Sequence, residues 1–112
     1  MPETFNRSSV KLSSTNITDA YQAPNAAATN RAVVLSCLLA NTDGTDAADV
    51  TITITDASDS EIAKYVNTVS IPADASLEII ANKLVLKNGE KLRATASAAN
   101  DIDVTVSALE IT

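Results

Sequence analysis

Fourteen carboxylates and no histidine bound the chemistry open to this 112-residue chain. Without histidine the commonest general base and the commonest nitrogen ligand for metals are both missing. Carboxylates can act without it in two settings. A pair flanking a glycosidic bond supplies an acid and a base or nucleophile. An oxygen-rich loop can hold calcium, which takes about six to eight oxygen ligands. Two loops have that composition: Asn41, Asp43, Thr45 and Asp46, and then Asp56, Asp59 and Glu61. Neither has EF-hand spacing, and Asn and Asp also close turns through their own side chains. Only three aromatic residues occur, Phe5, Tyr21 and Tyr65, too few to stack on sugar rings. Turn formation is therefore the reading taken for both loops, and no catalytic residue, metal ligand or cofactor is expected.

Three further features carry no chemistry. Cys37 is the only cysteine and lies in an apolar run, so it reads as a buried thiol behaving as a small hydrophobe. Gly89 has neither the second glycine nor the lysine of a phosphate-binding loop. Asn16-Ile17-Thr18 matches a glycosylation acceptor, but Met1 to Arg7 lacks the basic and apolar blocks of a secretory signal, so chance occurrence is preferred. The net charge of −6 and pI near 4.3 repel phosphate backbones, and no nucleic-acid partner is expected. No apolar run approaches the roughly 20 residues of a membrane span. A soluble chain made in a cytoplasm is the expectation.

The elements that place these residues are strands. Residues 32–40 are almost continuously apolar, while 49–56 alternate strictly, with Val50, Ile52 and Ile54 opposite Thr51, Thr53 and Thr55. A period of two fits a half-buried strand and not a helix. The turn-rich Asn41–Asp46 between them predicts a central hairpin. Val10 and Leu12 mark a first strand, Ile17 and Tyr21 a second. The apolar parity of residues 61–71 changes between Val66 and Val69, which predicts a bulge at Asn67-Thr68. Leu77 and Ile79 are expected to face inward. Lys87-Asn88-Gly89-Glu90 predicts a type I′ hairpin turn, followed by Leu92, Ala94 and Ala96 inward. Ile102, Val104 and Val106 alternate, but Leu109 and Ile111 have the opposite parity, so a bulge near Ser107-Ala108 is expected to restore the register. The sum is an all-β antiparallel β-sandwich of about eight short strands, jelly-roll or immunoglobulin-like. Residues 1–7 are expected to form an N-terminal arm, and residues 8–112 one domain.

Four segments together resemble a known class: Tyr21-Gln-Ala-Pro24, then VVLSCLLANTDGTDAADVTITITD from Val33 to Asp56, then Ile71-Pro-Ala-Asp-Ala-Ser-Leu77, then Lys83 to Thr112. The last is the most telling, with KLVL, a Gly-Glu pair, Leu-Arg-Ala and a terminal DVTVSALEIT strand. The chain resembles small β-sandwich accessory virion proteins of tailed bacteriophages. That resemblance implies a structural protein with no catalytic residues. Its expected role is decoration or cement, binding between capsomers through surface contacts and the arm. It also implies the major capsid protein or other virion proteins as partners, a homo-oligomer with a trimer favoured, and a place in the virion after assembly in the host cytoplasm. A neck, tail or baseplate ring is the alternative within this class, and a carbohydrate- or host-surface-binding module the alternative outside it. Phe5, Arg7, Tyr21 and Tyr65 are the expected partner contacts.

Overall fold

The computed structural model describes residues 2–112. Among them run nine strands: β1 (Glu3–Lys11), β2 (Thr18–Gln22), β3 (Arg31–Asn41), β4 (Ala48–Thr55), β5 (Glu61–Ile71), β6 (Ser76–Glu78), β7 (Leu84–Lys87), β8 (Lys91–Ala96) and β9 (Ile102–Ile111). They form two antiparallel sheets. One has the order β1-β9-β3-β6, with β7 also on β3, and the other β2-β8-β4-β5. Strands β1 and β9, β2 and β8, β3 and β6/β7, and β4 and β5 pair as a long ribbon would when rolled on itself. This is the double-sheet jelly roll, which decides between the two sandwiches the sequence allowed.

Rolling the ribbon overturns two local expectations. The segment from residue 32 to residue 56 is no hairpin, because β3 and β4 lie in opposite sheets. The doubly apolar β3 is a central strand flanked on both sides, and the Asn41–Asp46 loop carries the chain across the sandwich. Asn41 is buried there; its side-chain amide donates to the Asp46 and Ile71 carbonyls at 3.0 and 2.9 Å, and its Oδ1 accepts from the Asp43 amide. The turn at Lys87–Glu90 is likewise a crossing between sheets. The Glu90 amide donates to the Lys87 carbonyl at 3.1 Å, and of the central residues only Gly89 has positive φ, at 73°. That is the type II pattern, whereas type I′ needs positive φ at both centres. A Cβ on Gly89 would stand 2.3 Å from Asn25 Oδ1. The one connection that closes a pair of neighbouring strands in sequence and in sheet is β4–β5, where Asp56 Oδ1 accepts from the Ser58 and Ser60 amides.

Register shifts occur once in β2, once in β3 and three times along β5, and two of them bear on the expected bulges. One extra residue of β5 falls at Asn67-Thr68, as the parity change required, and Thr68 has φ of 69°. The other bulge is not in β9. Strand β9 pairs with β1 without a shift from Lys11↔Asp103 to Glu3↔Ile111, and the extra residue is Leu35 of β3, between Val34 and Ser36. Ala32, Val34, Cys37 and Leu39 therefore face the core, and Leu109 and Ile111 keep their outward parity. Strand β1 is also longer than expected. Residues 3–7, assigned to an arm, are its first half and pair with β9 throughout.

The core lies between the sheets, where Leu12, Ile52, Ile71, Leu86, Leu92 and Ile102 are fully buried. Cys37 is among its residues; burial first, and the Glu78 carboxylate second, push its thiol pKa up to about 12. Leu77 does not face inward as expected: it is solvent-exposed, and Ile80 is the buried residue of that segment. Strand β3 changes partner along its length, from β7 at residues 31–34 to β6 at 38–40. The gap is bridged by a side chain. Glu78 Oε2 accepts from the Cys37 amide at 2.7 Å and from the Ile80 amide at 3.0 Å, and the Ile79 amide donates to the Cys37 carbonyl.

Candidate interaction surface

The side chains free of the core lie on the outward faces of the two sheets. On the β2-β8-β4-β5 face, alternation in β8 turns Lys91 and Arg93 outward beside Asp19 of β2. Lys91 Nζ lies 2.7 Å from Asp59 Oδ1 and 3.2 Å from Asp19 Oδ2, and Arg93 Nε lies 2.6 Å from Asp19 Oδ1. The hydrogen bond from Lys91 holds the Asp59 carboxyl below the usual range; burial works against it, and the charges of Arg93 and Lys91 add to it. Hydrogen bonds to Asp59 and then Asp19 raise Lys91 in turn. The sign follows from linkage. A depressed carboxyl contributes stability above its unfolded pKa and loses it as pH falls through the folded one; a raised ammonium contributes below its unfolded pKa and loses it as pH rises through the folded one. Asp59→Asn should therefore lose less melting temperature than the wild type between about pH 5 and about pH 2. Parallel acid limbs for the two proteins would show that the cluster adds nothing to stability.

The β1-β9-β3 face is different. Register places Phe5 beside Leu109, Leu109 beside Val33, and Val33 beside Val85, so one apolar row crosses four strands. Its ends are the most open, with Phe5 76% and Val85 58% exposed. The bulged Leu35 stands beside the row and, with Phe5 and Arg7, lines a shallow groove floored by Ser107 and Ala108. The next row reads Glu3, Ile111, Arg31 and Lys87. An apolar row of this kind on an outward face is the part of the surface that another surface would cover.

Of the expected contacts, the structure brings Phe5 and Arg7 together on this face. It does not bring Tyr21 or Tyr65 there. Tyr21 is 5% exposed; its hydroxyl spans the sandwich to donate to Glu110 Oε2 at 2.5 Å, and burial foremost, then the Glu110 hydrogen bond, raise its pKa. Its ring is a core residue, a correction to its expected role. Tyr65 is half-buried on β5 of the other sheet and packs on the core. No surface tyrosine pair stands beside the Asp loops as a carbohydrate site would need. Asp43 and Asp56 use side-chain oxygens to cap their own turns.

No family model and no curated protein matches the chain. Solved structures do. A chain from the acid-stable capsid of Helicobacter pylori bacteriophage KHP30 superposes with a TM-score of 0.59 at 12% identity, covering 98% of this chain and 87% of that one. The likeness is one of fold. A chain from the T13 IBDV viral particle gives 0.57 at 10% identity, covering 97% of this chain and 31% of that longer one. A chain from the disulfide-linked pili that form Bacillus endospore appendages gives 0.53 at 17% identity, covering 100% and 91%. All three are assembly proteins by their descriptions, and two come from viral particles.

Val85 and Leu109 were not read as contacts from the sequence, and Val33 and Leu35 only as parts of a strand apolar on both faces. The signal was present in the reversed parity of Leu109 and Ile111, which was assigned to a bulge in their own strand. Cross-strand neighbours expose the difference, because Phe5 stands opposite Leu109 and shares its outward face.

Proposed function

We propose that this chain is a structural protein of a virus particle, and more narrowly a decoration protein seated between capsomers of a tailed-phage shell. The observation that carries the proposal is the apolar row from Phe5 to Val85 on the outer face of a jelly roll. Burying such surface is worth on the order of 25 cal/mol per Å², and contacts repeated over many copies add up across a shell. The shared fold with chains of two viral particles supports the reading. So does a sequence without histidine or a cysteine pair. The pilus likeness is the weaker guide to role, because those pili are disulfide-linked, whereas the one cysteine here is buried in the core.

The test is composition followed by subtraction. Virions purified from cells carrying the genome that encodes this chain should hold it at a fixed ratio to the major capsid protein. Particles made without it should still close, but should burst at a lower temperature. Absence from purified virions overturns the virion reading. Presence in particles that fail to form a closed head without it would move the chain from decoration to an essential shell or neck part.

A further inference from the structure

We propose that the β1-β9-β3-β7 face pairs with the same face of a second copy of this chain across a two-fold axis parallel to the strands. It takes a second copy, not a capsomer, as what covers the apolar row, and rests on the proposed function only through that row. A two-fold axis in the plane between two stacked faces, running along the strands, exchanges the left and right edges of the sheet and leaves height along the strands unchanged. Each position in a cross-strand row then meets its mirror position in the same row of the other copy, as an isologous contact requires.

The two rows on this face suit that operation. In the apolar row, Phe5 at the β1 edge comes over Val85 at the β7 edge, and Leu109 over Val33. In the adjacent row, Glu3 at the β1 edge comes over Lys87 at the β7 edge. Glu3 and Lys87 are both exposed, and neither forms an ion pair among the described residues. The symmetry makes this contact twice, so an acid at one edge and a base at the other are neutralised together while the apolar row closes beside them. Face-to-face sheets pack about 10 Å apart with strands rotated by about 30°, a spacing that side chains as long as Phe, Glu and Lys bridge. Charge complementarity of this kind selects register and orientation more than it adds affinity. The apolar row supplies the adhesion.

The experiment is molar mass by light scattering during gel filtration, over a dilution series, on four proteins: wild type, Glu3→Lys, Lys87→Glu and the double exchange. Both positions are on the exposed face, and circular dichroism checks that each variant is folded. The wild type should elute as a dimer that dissociates on dilution. Each single reversal sets like charges opposite each other at two places and should weaken the dimer by about tenfold or more. The double exchange should restore it. A wild type that stays monomeric at the highest concentration it tolerates overturns the proposal, as does a closed trimer or hexamer. A dimer insensitive to both reversals overturns it too, and points to pairing through the free edge of β1.

Discussion

Val104→Asp is expected to leave no cooperative melting transition. Val104 is 0% exposed, and in register it stands between Val10 of β1 and Leu39 of β3, at the middle of the sheet and facing the core. A carboxyl placed there loses its hydration without gaining a hydrogen-bond partner. Ionised or not, it costs several kcal/mol. Against a total stability of roughly 5–15 kcal/mol for a chain of this size, the loss is large enough to unfold it. The measurement is a thermal scan by circular dichroism with a urea titration beside it. A soluble variant with a sharp transition would place Val104 on the outside and invert the register of the whole β1-β9-β3 sheet.

Glu78→Ala should be the most damaging change at an unburied strand position, at about 2–3 kcal/mol. Its carboxylate takes the place of a missing neighbour strand, accepting from the Cys37 and Ile80 amides where β6 and β7 leave β3 unpaired. Removing it orphans the amide of a fully buried residue, and hydrogen bonds to a charged acceptor are worth more than neutral ones. Glu78→Gln keeps an oxygen at the same distance and should lose less than half as much. Urea midpoints separate the two variants, and hydrogen exchange at the Cys37 amide should quicken in the alanine variant alone. Equal midpoints for wild type and Glu78→Ala would mean that the gap needs no acceptor from this side chain.

Alternation made the strands legible, and β8 is the plainest case: Leu92, Ala94 and Ala96 read inward from the sequence and are inward in the fold. The Asn67-Thr68 bulge was legible for the same reason, since its two flanks carry apolar residues of opposite parity within one strand. Partners were not legible. A polar loop between two apolar strands reads as a hairpin whether the strands pair or cross between sheets, and Asn41–Asp46 and Lys87–Glu90 both cross. The difference lies in details a single sequence does not display, such as Asn41 reaching the Ile71 carbonyl and Asn88 keeping negative φ. Leu35 gave no sign of being a bulge because the run around it, broken only by Ser36, is apolar on both faces. The candidate surface was half visible. Phe5 and Arg7 stood out as large groups in a polar segment, but Tyr21 drew notice for the same reason and proved to be core. What joins Phe5 to Val85 is pairing across four strands, and residues 80 positions apart in sequence become neighbours in a row only when β9 lies between β1 and β3.

That placement of β9 has a consequence for how the molecule comes to be folded. Strand β9 is the second of its sheet, inserted between β1 and β3. While a ribosome is still making residues 102–111, β1 has no partner, and β3, apolar on both faces, has one flank open. The sheet cannot close until synthesis has passed β9, and its pairings then span nearly the full chain, a topology associated with slow folding. For that interval an apolar strand has an open edge, and crowding by other nascent copies is the hazard it meets.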